Sequence, residues 1–204
     1  MRSCPACGEP LFGWLLLDSR EQGNPSDSVV LERCEGCGLG IAADLAPGSS
    51  APELLGSARR ISEGTLELRV ANRASVQASL GGRHWAALEP KRRLYPTPQS
   101  LPALAAAAGL EIDELSCPHR GRGQAWMWQT ILNAFTFNEN FARQVRAGTL
   151  RPGGAVGRLK FGIDAVVTAL LAIPVAIVSA PLELFAALAG RGGELVAVGR
   201  RSAD

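Results

Sequence analysis

Short apolar runs, separated by turn-rich segments, predict the strands of this chain. Near the N-terminus, LFGWLLL (11–17) and SVVLERC (28–34) are strand-like, and the turn-rich DSREQGNPSD (18–27) between them predicts a hairpin. Three later runs also predict strands: TLELRV (65–70), LEIDELS (110–116) and GELVAVGRR (193–201).

Helical patterns alternate with these strands. Ser50, Pro52 and Glu53 form a helix start signal, and we expect that helix to run to about Ile61. Three further helical segments are predicted: NRASVQASLGG (72–82), PQSLPALAAAAG (98–109) and, with a polar interruption, QAWMWQTILNAFTFNENFARQVRAG (124–148). This alternation predicts an α/β fold, in which the loop APGSSAP separates a small unit at residues 1–45 from a larger one at residues 50–204.

The run AVVTALLAIPVAIVSAPL (165–182) contains no charged residue and has about the minimum length of a membrane-spanning helix. It has three interpretations: a spanning helix, a buried helical hairpin within about 158–190 that breaks near Pro174, and an interfacial hairpin that contacts a membrane through residues 161–190. Because the chain must return to place its last strand in the sheet, the two hairpin interpretations are favoured over the spanning one.

Composition and charge narrow the classes of function. Of the 204 residues, 47% are hydrophobic, which fits a globular core, and a formal net charge of +2 argues against electrostatic binding of nucleic acid. The N-terminal MRSCPACGEP lacks the apolar core of a secretory signal, so we expect a cytoplasmic protein, membrane-associated if the apolar run contacts a bilayer. Paired cysteines in that setting are better interpreted as metal ligands than as disulfides.

Four of the five cysteines form two matching CxxCG motifs, at Cys4 and Cys7 and at Cys34 and Cys37. Each motif directs two thiolates to one point, and two such turns complete the tetrahedral Cys₄ site of a structural zinc ribbon. Such a closed site leaves no position for a substrate. We therefore expect structural zinc and no zinc catalysis.

The glycines at 36–40 have an alternative interpretation as a GxGxG cofactor loop. That loop should open a helix that leads to a second strand ending in an acid. Here IAADL (41–45) runs directly into the loop 46–52, which leaves no room for that helix and strand. The glycines are therefore assigned to the zinc ribbon.

Several motifs follow one another behind the ribbon: the glycine turn and strand at 64–72, Trp85, Leu94-Tyr95, Thr97-Pro98, Ala108-Gly109-Leu110 and the closing GRGGELVAVGRR (190–201). This order resembles that of bacterial class I S-adenosylmethionine-dependent methyltransferases with an N-terminal zinc ribbon. The resemblance covers the two ends of such an enzyme. It implies a partial Rossmann-like sheet of about three strands, the family's fifth, seventh and sixth, with a helical insertion.

The family's first four strands, which carry the cofactor-binding residues, have no counterpart between the ribbon and residue 52. The resemblance therefore implies a truncated member with no cofactor-binding residues, for which S-adenosylmethionine binding is doubtful. The inner edge of the strand at 65–70 should then lack a partner. Such an edge invites a second copy or a partner chain, unless the ribbon or the helices cover it or the fold is only marginally stable.

The resemblance also implies substrate-side candidates: Asn72, His84, Trp85, Glu89, Arg93 and Tyr95. Asn72 equally suits a turn, and His84 equally suits packing within a loop. Arg93 stands where relatives often have a histidine, and an arginine cannot act as a general base near neutral pH. No catalytic residue is assigned.

Three functions follow as hypotheses. The first is a methyltransferase-family protein that lacks its cofactor-binding half and is impaired alone or acts with a partner. The second is an active methyltransferase of a small molecule (class EC 2.1.1), with a dimeric or reconstituted site. The third is a membrane-associated zinc-ribbon scaffold.

Overall fold

Two four-stranded antiparallel sheets organise the computed structural model, which describes residues 2–17, 28–62 and 64–202. The predicted turn at 18–27 lies outside the described residues. The strands are β1 (Leu11–Leu17), β2 (Val29–Cys34), β3 (Gly40–Ala42), β4 (Ala58–Ser62), β5 (Thr65–Ala71), β6 (Leu94–Tyr95), β7 (Leu110–Ser116) and β8 (Glu194–Arg201). Within the described ranges the α-helices are α1 (Ser50–Leu55), α2 (Val76–Gly81), α3 (Leu101–Ala107), α4 (Arg122–Asn133), α5 (Phe141–Ala147) and α6 (Gly154–Leu188). The mixed α/β class is confirmed.

The first sheet contains the N-terminal ribbon and one strand from far along the chain. Its order is β1-β2-β3-β6, and the predicted hairpin is formed by β1 and β2. Strand β6 pairs with β3, placing Tyr95 opposite Gly40 and Leu94 opposite Ile41. The ribbon and the following unit therefore share backbone hydrogen bonds across the predicted boundary at 46–52.

The second sheet has the order β4-β5-β8-β7, with β8 antiparallel to both of its neighbours. The helix predicted to reach Ile61 ends at Leu55, and the following residues form β4 instead. Pairing with β5 stabilises this extended conformation more than continued local helix formation does.

The expectation that the strand at 65–70 has an unpaired edge is wrong, because both edges of β5 are paired. Leu68 of β5 lies opposite Ala58 of β4 on one side and opposite Ala197 of β8 on the other. A partner chain or second copy therefore cannot pair with β5 while β4 is in place. The physical reason is that the chain supplies its own covering strand.

The core has two parts. One lies between the ribbon and the second sheet and includes Cys34, Leu39, Leu54, Leu101 and Leu195. The other surrounds the aromatic rings of Trp85, Tyr95 and Trp126, and it includes Leu31 and Ala71. Both parts join residues that are far apart in sequence.

The prediction of a helical hairpin within 158–190 is also wrong. The helix α6 is continuous over 35 residues and includes Pro174 and Pro181. At ~1.5 Å per residue it is about 52 Å long. Both prolines lie on the exposed side of the helix. On the packed side, Trp128 of α4 donates from Nε1 to the Ala172 carbonyl at 3.0 Å and so helps to hold the helix across its middle.

Candidate metal centre and the faces of the long helix

The two CxxC turns have the same backbone geometry. The Gly8 N–H donates to the Cys4 carbonyl at 2.9 Å, and the Gly38 N–H donates to the Cys34 carbonyl at 3.0 Å. Gly8 has φ +82° and Gly38 has φ +73°, in the left-handed region that favours glycine. The glycines thus turn the chain back past the thiols, as the motif predicts.

The four cysteine Sγ atoms lie within 4.8 Å of one another. The Sγ atoms of Cys4 and Cys37 are 3.6 Å apart, and those of Cys7 and Cys34 are 3.4 Å apart. A tetrahedral zinc ion with Zn–S bonds of ~2.3 Å separates its sulfur ligands by roughly 3.8 Å. The cluster can therefore hold a metal ion such as zinc with only small side-chain adjustments.

Burial and hydrogen bonding shift the pKa values of the clustered thiols in different directions. Burial by itself raises the pKa of Cys34, but hydrogen bonds from the Cys37 backbone and from neighbouring thiols lower it to about 7. Burial raises the pKa of Cys4 and of Cys37, and neighbouring thiols add to the rise for Cys37. Four thiolates packed this closely repel one another, so a divalent cation is the natural means of keeping all four deprotonated.

Thr97 connects the metal cluster to the second unit. Its Oγ1 donates to the Cys37 carbonyl at 2.7 Å and accepts a bond from the Ser100 N–H at 3.1 Å. A Cβ on Gly38 would lie 3.2 Å from the Thr97 methyl group, so the two residues are in close contact. In the sequence, Thr97 directly precedes the helical segment predicted at 98–109. Its bond to the cysteine turn depends on the tertiary structure.

Three of the six substrate-side candidates are core residues. Asn72 is fully buried, donates from Nδ2 to the Gly192 carbonyl at 2.8 Å and accepts from the Ala74 N–H at 3.0 Å. The rings of Trp85 and Tyr95 are buried with centroids 5.7 Å apart. Burial raises the pKa of Tyr95 to about 12.

The other three candidates lie nearer the surface in ionic contacts. His84 Nδ1 is 2.6 Å from Glu139 Oε1, Glu89 pairs with Arg143 at 2.5 Å, and Arg93 pairs with Asp44. A cavity of about 300 Å³ opens between α1, β4, β5 and α4, lined by residues that include Arg69, Arg92 and Arg122. None of the six candidates lines it. The structure brings Trp85, Tyr95 and Glu89 together by contact but does not gather the six around one cavity.

Two buried acids that the sequence analysis did not predict, Asp164 and Glu183, lie on α6, whose polar face points inward. Asp164 is fully buried and accepts from the N–H groups of Phe137 and Asn138 at 2.8 and 2.9 Å, and from Asn138 Nδ2 at 2.7 Å. Glu183 is fully buried and accepts from the Gly193 N–H at 2.7 Å and from Gln77 Nε2 at 3.0 Å. In the sequence, one acid stands at each end of the uncharged run 165–182, and this placement is the feature that could have indicated their burial.

The opposite side of α6 is an exposed aliphatic stripe. Its members recur every three or four residues, and we name them the apolar face of α6: Leu159, Ile163, Val166, Leu170, Ile173, Ile177, Pro181, Leu184 and Leu188. Leu170 is 71% exposed and Ile173 is 73% exposed. Only 11% of the most apolar window of this helix is buried. By length and composition, α6 is the one helix in the described ranges that could cross a membrane.

Comparisons with protein-family models, with curated proteins and with solved structures found no match for this chain. The fold itself defines the class: a mixed α/β protein whose N-terminal ribbon brings together four cysteines that can hold a metal ion, with a long exposed apolar helix.

Proposed function

We propose that this protein is a membrane-associated zinc-ribbon scaffold, in which α6 lies along a bilayer surface with its apolar face in contact with the acyl chains. The observation that carries the proposal is the reversed orientation of α6: its acids point into the protein and its aliphatic side chains point outward. Soluble proteins rarely leave an aliphatic stripe of this length uncovered.

The helix cannot easily roll over to bury the stripe. Asp164 near one end and Glu183 near the other are fastened by hydrogen bonds to α2, to the turn before β8 and to the segment after α4. Rolling would break these bonds and leave buried N–H groups without acceptors, at roughly 1–3 kcal/mol each. Burying one exposed leucine or isoleucine in an apolar phase stabilises by about 1.5–3 kcal/mol. A bilayer supplies that burial without disturbing the packed side.

An interfacial position suits α6 better than a spanning one. The packed side contacts α4, where Trp128 bonds to the Ala172 carbonyl in the middle of the apolar run. Only residues 189–193 separate α6 from β8, which is one of the two inner strands of the second sheet. Spanning would separate the helix from both, whereas a helix lying in the interface plane keeps them.

The ribbon and sheets serve in this proposal as a rigid support, held in part by zinc at Cys4, Cys7, Cys34 and Cys37. The β5-β8-β7 order, with β8 antiparallel, agrees with the fifth, seventh and sixth strands that the methyltransferase resemblance implies. Strand β4 occupies the flank where the missing strands would pair. This favours a methyltransferase-derived scaffold that is catalytically impaired alone.

The second candidate function is an active methyltransferase with a reconstituted site. The β5-β8-β7 strand order supports this candidate as well. Isothermal titration of the zinc-loaded protein with S-adenosylmethionine separates the two. Micromolar binding would establish a cofactor site and contradict the scaffold proposal. Absence of heat up to millimolar cofactor agrees with a scaffold.

Vesicle flotation of the full, zinc-loaded chain tests membrane association. We expect the unmodified protein to float with vesicles and a Leu170→Asp, Ile177→Asp double variant to remain at the bottom of the gradient. Leu16→Asp with Val30→Asp is the matched control, because both side chains are exposed but lie opposite each other on β1 and β2 of the ribbon. This control should float like the unmodified protein.

Two other outcomes would contradict the proposal. A protein that does not float but forms a dimer, which Leu170→Asp dissociates, would identify a second copy as the cover of the apolar face. Resistance to alkaline carbonate extraction would indicate spanning instead of surface binding.

A further inference from the structure

One end of α6 carries a concentration of exposed positive charge. Residues 140–163 contain five basic residues and no acid, and all five are exposed: Arg143, Arg146, Arg151, Arg158 and Lys160. We name residues 143–160 the basic segment. One of the five, Arg143, is already paired with Glu89 at 2.5 Å, and the other four supply most of the local positive charge in a chain whose formal net charge is only +2.

The structure brings α5 and the first turns of α6 together. The rings of Phe141 and Phe161 pack edge to face with centroids 5.2 Å apart, and Lys160 Nζ lies 5.6 Å from the centre of the Phe137 ring. The two acids that border residues 140–163 are already engaged. Glu139 contacts His84, and Asp164 is buried among hydrogen-bond donors.

Basic and apolar side chains alternate at this end. Arg158 and Lys160 flank Leu159, the first member of the apolar face, at about 100° to either side of it around the helix. Val156 and Leu159 are 69% and 65% exposed. Long basic side chains beside apolar ones can extend to headgroups while their stems remain in the apolar layer.

The other end of α6 differs. Its acid, Glu183, is buried, and the nearest basic residue beyond the helix is Arg191, whose Nε donates to the Ala74 carbonyl at 3.4 Å. The charge is therefore asymmetric along the apolar face. Headgroup attraction would act mainly at the N-terminal end of the helix.

We propose that the basic segment binds anionic phospholipid headgroups, so that this protein selects negatively charged bilayers. The inference rests on the proposed membrane association and adds the class of lipid. A basic residue near an anionic surface strengthens binding by roughly fivefold, and salt screens the effect. A neutral bilayer offers only the contact with the apolar face.

The experiment measures binding of the full, zinc-loaded protein to vesicles of phosphatidylcholine alone and of phosphatidylcholine mixed with phosphatidylglycerol. We expect tighter binding to the mixed vesicles, weakened by salt. Arg158→Gln with Lys160→Gln should weaken binding to the mixed vesicles by roughly 25-fold and leave binding to the neutral vesicles unchanged. Arg59→Gln with Arg60→Gln removes the same charge from exposed positions on β4 and should change neither.

The remaining outcomes are distinct. Equal binding to both vesicle types overturns the lipid selectivity and leaves the proposed function standing. An equal loss in both double variants also overturns it, because net charge and not the basic segment would then be responsible. Binding to neither vesicle type contradicts the proposed function itself, and with it this inference. Zinc content and circular dichroism establish that each variant is folded.

Discussion

Gln77 Nε2 donates a 3.0 Å hydrogen bond to Glu183 Oε2, and both residues are fully buried. The same amide donates to the Gly123 carbonyl at 3.0 Å and accepts from Trp85 Nε1 at 3.3 Å. Glu183 in turn accepts from the Gly193 N–H. This one pair therefore connects α2, α4, α6 and the turn before β8, and together with the bonds of Asp164 it sets which face of α6 is directed outward.

The first prediction concerns the pH dependence of stability. Burial raises the pKa of Glu183, and the nearby Glu194 adds to the rise. A carboxyl whose folded-state pKa exceeds its unfolded value binds its proton more tightly when folded. Its contribution to stability is therefore present below the unfolded value and is lost as pH rises through the folded value. We expect the free energy of unfolding to fall, relative to Glu183→Gln, as the pH rises above the ordinary glutamate pKa of about 4.3 towards neutral pH.

Chemical denaturation of both proteins across this range provides the measurement. The difference between them is the informative quantity, because the cysteine cluster also titrates. Glu111→Gln, which removes an exposed acid on β7, reports the effect of losing a carboxylate at the surface. A parallel pH profile for the unmodified protein and Glu183→Gln would refute the expectation.

The second prediction concerns the other fastening point of α6. Asp164→Ala removes the acceptor of two backbone N–H groups and of the Asn138 side chain. Leaving these partly buried donors unpaired should lower the free energy of unfolding by about 2–5 kcal/mol. Urea denaturation measures the change. The control Asp113→Ala breaks an exposed ion pair with Arg200 and should have little effect, so similar losses in both variants would contradict this account.

The third prediction concerns the metal. We expect one zinc ion per chain, loss of that ion in Cys34→Ser, and retention in Cys117→Ser, because Cys117 lies outside the four-cysteine cluster. Structural zinc binding contributes about 10–16 kcal/mol in zinc-finger peptides, which is comparable to the whole stability of a domain. Chelation should therefore unfold the ribbon. Elemental analysis and thermal denaturation with and without chelator measure both effects, and a protein purified without metal yet equally stable would disprove the prediction.

The fourth prediction concerns the packing of the ribbon against β6. A Cβ on Gly40 would lie 3.0 Å from Trp14 Cζ3 and 3.1 Å from Tyr95 Cβ. Gly40→Ala should therefore destabilise by about 1–3 kcal/mol through overpacking. Gly13→Ala on β1 meets nothing within 4 Å and serves as the control. Equal thermal stability of the two variants would contradict this prediction, because the Trp14 ring and the Tyr95 Cβ would then have moved aside without cost.

The strands that could be predicted from the sequence are those with a local signal. Alternation and bounding turns indicated β1, β2, β5, β7 and β8, and the structure confirms each of them. The paired CxxCG turns identified the four thiols, which the structure brings within 4.8 Å. In these cases the spacing of a few neighbouring residues already constrains the geometry.

Strands β4 and β6 had no such signal. The residues of β4 continue a helical start pattern, and they are extended because β5 supplies a pairing partner. The two residues of β6 are a strand only because β3 of the ribbon lies beside them. Burial of Asn72, Trp85 and Tyr95, which the family resemblance implied to be on the substrate side, likewise depends on distant contacts.

The cysteine cluster, the mixed α/β class and an uncharged run about long enough to span a membrane could thus be predicted before the fold was known. Only the folded chain shows that this run belongs to one helix and that the two acids flanking it, Asp164 and Glu183, point inward. The physical reason is that a nearly uniform apolar run has no periodicity that distinguishes its faces. The bonds of Asp164 to Asn138 and of Glu183 to Gln77 make that choice, across 26 and 106 residues of chain.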